Sequence, residues 1–188
     1  MLRIVGGKHR GRALLAPEGQ AVRPTASRAR EALFNILAHA PWAPEGGLPQ
    51  GARVLDAFAG SGALGLEALS RGAVHATFLE SDAGMVKLIG QNLAKLGEAA
   101  AGRAIRADAT RPPRASAPCA LWLLDPPYRS GLGVAALSAL AEAGWGQPGT
   151  IAVLEIALNE DAAPPSGFEA LDERRYGAAK LVLLRQTG

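Results

Sequence analysis

A chain of 188 residues, 48% hydrophobic and 20% charged, has the size and composition of one ordinary globular unit with a single good core. No apolar run approaches the roughly 20 residues that span a bilayer, and Met1–Gly7 lacks a signal-peptide core, so a cytoplasmic protein with no membrane partner is expected. The lone Cys119 excludes an internal disulfide and a cysteine-rich zinc site, and its place at the start of an apolar run marks it as a small core hydrophobe.

The net charge of +3 hides an asymmetry. Arg3, Lys8, Arg10, Arg12, Arg23, Arg28 and Arg30 stand against Glu18 alone in residues 1–30, a balance of seven minus one, leaving −3 for the rest. Basic charge gathered at one end is the electrostatic footprint of phosphate binding, and a preponderance of arginine favours bidentate contacts.

In chain order, Leu2–Val5 and Arg12–Leu15 read as a short hairpin with a basic, glycine-rich tip. Residues 17–24 read as loop. Thr25 offers an N-cap for a helix running to about Ala38, with Ala29, Leu33, Ile36 and Leu37 on one face. The stretch 41–51, rich in proline and glycine, reads as a linker between an N-terminal extension (1–50) and a second unit (51–188).

From Arg53 the pattern is regular. Strands are expected at 54–58, 74–80, 103–107, 119–124 and 150–156, with helices after the first, second and fourth, the second of these capped by Asp82. Two late runs, 168–175 and 179–185, read as an antiparallel closing pair. Strands alternating with helices give an α/β, Rossmann-like fold: a mostly parallel seven-stranded sheet with helices on both faces.

The chemistry gathers at the strand ends. Gly60, Gly62 and Gly65 match a dinucleotide-type glycine turn, in which backbone can approach a ligand and a helix N-terminus offers free N–H groups. Asp56, four residues before Gly60, would repel a pyrophosphate and suits a ligand carrying an ammonium group. S-adenosylmethionine has that group and no phosphate. Asp56, Phe58, Ala59, Gly60, Ser61 and Gly62 are therefore its expected contacts, with Glu80 placed for the ribose hydroxyls and Asp108 for the adenine amine. On the fourth strand, Asp125-Pro126-Pro127-Tyr128 combines a carboxylate, a proline carbonyl and an aromatic ring on a backbone that two prolines bar from helix. Carboxylate and carbonyl can accept both N–H bonds of an exocyclic amine while the ring stacks on its base. No metal is required.

These motifs resemble class I S-adenosylmethionine-dependent methyltransferases. The pieces Arg3-Ile4-Val5-Gly6-Gly7, Arg10-Gly11-Arg12, Arg23-Pro24-Thr25 and Arg28–Asn35, with the glycine turn continuing to Arg71 and Asp125–Tyr128, are similar in order to the RsmD family of bacterial small-subunit ribosomal RNA methyltransferases. Ser27 departs from that family's usual Asp. The resemblance implies methylation of the exocyclic N2 of one guanine in 16S rRNA, within the small ribosomal subunit; with no obvious dimer helix in the sequence, a monomer is expected. It implies catalytic roles for Asp125, Pro126, Pro127 and Tyr128, and RNA contacts from Lys8, Arg10, Arg12, Arg23, Thr25, Arg28 and Arg30. A DNA adenine-N6 methyltransferase, a dehydrogenase and a non-catalytic ribosome-assembly factor are the alternatives.

Overall fold

Side chains alternate in direction along the strands, and that alternation builds the layers. In the computed structural model, which describes residues 1–17 and 24–188, the elements are α1 (Pro24–His39), β1 (Arg53–Ala57), α2 (Ala63–Ser70), β2 (His75–Glu80), α3 (Ala83–Leu96) and β3 (Gly102–Arg106). They continue with β4 (Leu121–Leu124), α4 (Leu132–Glu142), β5 (Ile151–Ala157), β6 (Phe168–Tyr176) and β7 (Ala179–Gln186). Val54, Leu121, Leu123, Val153, Leu181 and Leu183 face one side of the sheet, together with buried residues of α1, α2 and α3. Leu55, Ala57, Trp122, Leu124, Leu154, Val182 and Leu184 face the other, against Ala136, Leu137 and Leu140 of α4. The central strands are apolar on both sides because both sides are covered.

The sheet runs β3-β2-β1-β4-β5-β7-β6. Strands β1 to β5 pair in parallel, and β7 inserts antiparallel between β5 and β6. This is the expected seven-stranded, mostly parallel architecture. Chain order reverses between β1 and β4, and there Ala57 pairs with Leu124. Phe58 and Asp125 therefore leave the sheet side by side, at the switch point where open α/β sheets bind ligands.

The N-terminal segment departs from expectation in several ways. The hairpin is narrow: one antiparallel bridge, Arg3 to Ala13, flanked by Gly11 N to Ile4 O at 2.9 Å and Leu14 N to Leu2 O at 2.9 Å. Its tip, a 3-10 turn over Gly7–His9, is docked rather than free. Gly7, at φ +76, lies so close to the Ser70 carbonyl that a Cβ there would collide with it. Helix α1 begins at Pro24, so Thr25 lies inside the first turn rather than capping it; proline suits that first position because its missing N–H would be unsatisfied anyway. Of the expected face of α1, Leu33 and Leu37 are buried and Ala29 and Ile36 half-buried, while Arg30 and Phe34 complete the buried stripe. Arg23 and most of the expected loop lie outside the described residues.

Residues 41–51 are packed rather than loose. Leu48 is buried, its N–H donates to the Leu37 carbonyl at 2.9 Å, and Gly51 N donates to Gly72 O at 2.9 Å. Leu2, Ile4, Leu14 and Leu48 belong to the same core cluster as the central strands.

A buried carboxylate anchors this junction. Glu67 of α2 is fully buried and accepts from Val5 N (2.9 Å), Gly6 N (2.8 Å) and Arg71 Nε (2.8 Å), with Arg30 Nε at 3.5 Å. The Arg71 guanidinium also lies 5.1 Å from the Phe34 ring centroid, a cation–π contact that ties the cluster to α1. Burial pulls the Arg30 pKa below its usual value, partly offset by Glu67. Removing the acid would strand that buried cation. Glu67→Ala should cost about 3–5 kcal/mol, read as a lower urea midpoint; an unchanged midpoint would show the cluster to be dispensable.

Candidate active site

A carboxylate at a parallel strand's end sits beside the N-termini of neighbouring turns, and Glu80 uses both oxygens this way. Its Oε2 accepts from Gly60 N at 2.8 Å and its Oε1 from Asp82 N at 2.8 Å. Its Oε1 also accepts from Ser81 Oγ at 3.4 Å, whereas Oε2 keeps acceptor capacity for a further donor such as a sugar hydroxyl. Asp82 in turn caps α3, accepting from Met85 N at 2.8 Å.

The glycine turn follows from close packing beneath it. Gly65 is required because a Cβ there would collide with the buried Phe78 ring. Asp56, 1% exposed, lies under the turn and accepts from Gly65 N at 2.8 Å. Burial pushes its carboxyl well above the usual range, with the Gly65 bond opposing and the charges of Asp125 and Glu80 adding. Phe58 holds φ 60 without being glycine, and so does Arg129 at φ 57, beyond the proline pair. Such conformations are uncommon for a side chain with a Cβ. Arg129 is held there by its N–H to Glu160 Oε2 (2.9 Å) and its guanidinium to Asn159 Oδ1 (3.2 Å).

Two cavities meet at Asp125 and Tyr128. The larger, about 650 Å³, lies over the ends of β1, β2 and β3 and is walled by Phe58, Glu80, Asp108, Asp125, Pro126 and Tyr128 among others. That volume falls in the range of small-molecule and cofactor sites. The smaller, about 250 Å³, is walled by Asp125, Tyr128, Glu155, Tyr176 and residues of α1 and α2, a size suited to one planar group.

Of the expected cofactor contacts, Phe58, Glu80 and Asp108 line the larger cavity. Asp56, Ala59, Gly60, Ser61 and Gly62 form the turn at its edge or beneath it and are not in its wall. A Cβ on Gly60, at φ +53, would meet nothing within 4 Å, so its side of the turn is open. The donor set fits S-adenosylmethionine: acids, open backbone and no basic side chain in the wall of the larger cavity. Asp108 accepts from Thr110 Oγ1 at 2.7 Å and Thr110 N at 2.8 Å; these bonds hold its carboxyl below the usual range.

Asp125 is accessible on its cavity side but crowded by protein elsewhere. That loss of water, reinforced by Glu155, pushes its carboxyl up to about 7. Pro126 is buried, whereas Pro127 and Tyr128 face outward. The Tyr128 hydroxyl donates to Glu155 Oε1 at 2.7 Å.

The basic residues divide. Arg10 and Arg28 are exposed. Lys8 pairs with Glu98 at 2.6 Å, Arg12 donates to the Lys95 carbonyl at 3.0 Å, and Arg30 turns inward to Glu67 and the Arg3 carbonyl (2.7 Å). Cys119 is buried, and burial pushes its thiol up to about 11, in keeping with a core residue. Among the described residues no group of three or more His, Cys, Asp or Glu side chains could hold a metal ion, and no helix is long and apolar enough to cross a membrane.

Comparison with known proteins bears on this geometry. The family described as conserved hypothetical protein 95 matches residues 2–185. Ribosomal RNA small subunit methyltransferase D of Escherichia coli is 41% identical over 145 residues, which is 77% of this chain and 69% of that protein. The chain belongs to the RsmD family. The protein of the same name in Haemophilus influenzae is 33% identical over 180 residues, 94% of this chain and 89% of its own. The solved structure of yhhF from Escherichia coli aligns with a TM-score of 0.83 at 33% identity, over 99% of this chain and 98% of that one.

Two residues of this RsmD-family site are not found by the sequence reading, Glu155 and Tyr176. Glu155 did leave a signal, as the one charged residue in the apolar strand Ile151–Ala157. Because its charge adds to the crowding of Asp125, Glu155→Gln should lower the Asp125 pKa. A carbon-13 carboxyl titration would show the Asp125 midpoint near 7 in the wild type moving toward acid; an unmoved midpoint would leave burial as the whole cause.

Proposed function

We propose that this protein transfers the methyl group of S-adenosylmethionine to the exocyclic N2 of a guanine in 16S rRNA of the small ribosomal subunit. The observation that carries the reading is the wall shared by the two cavities: Asp125 and Tyr128 face a cofactor-sized space on one side and a base-sized space on the other. The names of the relatives support the ribosomal RNA substrate class. In this reading Phe58, Glu80 and Asp108, with the turn Ala59–Gly62 set by Asp56, hold the cofactor. Bound there, S-adenosylmethionine would supply a methyl group on an electrophilic sulfonium.

The chain's own work lies on the acceptor side. A target base leaves its stack, at a cost of a few kcal/mol, and enters the smaller cavity against Tyr128. Asp125 and the Pro126 carbonyl accept the two N–H bonds of its amine, which aims the nitrogen lone pair toward the larger cavity. The nitrogen is conjugated and weakly nucleophilic, so orientation supplies much of the acceleration. As the N–C bond forms, positive charge grows on nitrogen beside an ionised carboxylate, which stabilises it. The departing N–H proton then has Asp125 as its acceptor.

Residues 1–50 serve as the RNA-gripping part and 51–188 as the methyl-transferring part. Exposed Arg10 and Arg28 are the strongest candidates for phosphate contacts, followed by Lys8 and Arg12, with Arg23 and Thr25 as further candidates from the sequence. Arg30 acts through the fold. The Arg10→Ala/Arg28→Ala double variant should weaken subunit binding and flatten its salt dependence, in a filter-binding series at several salt concentrations.

The deciding assay is transfer of labelled methyl from S-adenosylmethionine to small subunits, naked 16S rRNA and duplex DNA. The expected product is N2-methylguanine from subunits; label on DNA adenine would overturn the substrate. Asp125→Ala should lose at least about a hundredfold in rate while retaining the cofactor-induced rise in melting temperature. Because the ionised carboxylate is the working form, kcat/KM should climb as pH rises through about 7 and then level. A flat profile would remove Asp125 from the rate-determining chemistry.

A further inference from the structure

Glu155 enters the smaller cavity from β5, opposite the proline-held loop, in a strand otherwise apolar. The side chain is half-buried at the cavity rather than sealed in the core. Its Oε1 accepts from the Tyr128 hydroxyl at 2.7 Å, while Asp125 lines the same cavity. The cavity thus holds two acids and two tyrosines, and the hydroxyl of one tyrosine, Tyr128, donates to Glu155. Arg30 lines it too, but its guanidinium is engaged with Glu67 and the Arg3 carbonyl.

Two neighbouring acceptors demand a ligand edge with adjacent donors. Guanine's Watson–Crick edge presents N1–H beside its amine, so one acid can take the amine and the other N1–H. Adenine places an unprotonated N1 beside its amine, and that lone pair would face a carboxylate. We propose, building on the guanine-N2 reading above, that Glu155 is the base-reading residue: its carboxylate accepts the guanine N1–H and rejects bases lacking that proton. The Tyr128 bond fixes the rotamer of Glu155, so reading and stacking are set together. A pocket built to accept a donor discriminates strongly against an analogue lacking it, because its own polar group is left unpaired.

The test uses small subunits reconstituted with 16S rRNA carrying either guanine or 2-aminopurine at the methylated position. 2-Aminopurine keeps the amine but has an acceptor at N1. Wild type should prefer guanine by at least about tenfold in kcat/KM. Glu155→Gln, whose amide can donate to an N1 acceptor, should lose at least about tenfold on guanine and shrink or invert the preference. Its cofactor-induced melting shift should match wild type, showing an intact fold. If Glu155→Gln retains the wild-type preference, whether activity is kept or both substrates fall equally, base reading is overturned and Glu155 merely positions Tyr128. If wild type makes no N2-methylguanine on guanine subunits, the reading beneath the inference fails with it, an outcome distinct from normal methylation with an unaltered preference.

Discussion

A fully buried carboxylate must collect its partners from whatever the fold brings near, and Glu67 collects them from three separate stretches of chain. Its oxygens accept from two backbone N–H groups of the N-terminal segment and one arginine of its own helix, with a second arginine, from α1, alongside. Neither the N-terminal hairpin nor α1 touches the central strands in sequence, yet both are held against them here. The smaller cavity depends on that arrangement, because Ala29, Arg30 and Leu33 of α1 form part of its wall. A rim that looks like an appendage in sequence is thus structurally continuous with the catalytic half.

A second polar bridge reinforces the first. Asn92 of α3, fully buried, accepts from Leu15 N at 2.7 Å and donates to Leu15 O at 3.0 Å and Ser61 O at 3.3 Å. One side chain therefore connects the base of the N-terminal hairpin to the glycine turn. Bonds of this kind, between buried partners with few alternatives, specify one docking geometry.

The division between what was legible and what was not follows the range of the interactions. Apolar runs that end in Asp56, Glu80, Asp108 and Asp125 announced a parallel sheet with acids along its carboxyl edge, because strand burial and strand-end position are local properties. Asp82 as a cap was equally local. Arg30 could not be read correctly, since an arginine on a basic helix looks solvated until the partner at position 67 is in view. Residues 41–51 looked like a linker because proline and glycine signal irregular backbone, and irregular backbone can still pack, as Leu48 does. Periodicity finds Leu33 and Leu37 on the buried face of α1 and misses Arg30, because it assigns that position to an apolar residue. Asp56 was given to the ligand, whereas its nearest donor is the backbone of the turn itself.

Phe58 illustrates how such a site resists improvement. Its backbone sits at φ 60, in a region glycine occupies without strain, while its ring walls the larger cavity. The ring also packs against the core on the α4 side of the sheet, so the strain of the turn is set against both packing and cavity wall. Glycine at 58 would relax the turn but forfeit both that packing and part of the cavity wall, so one aromatic side chain sets fold and site together.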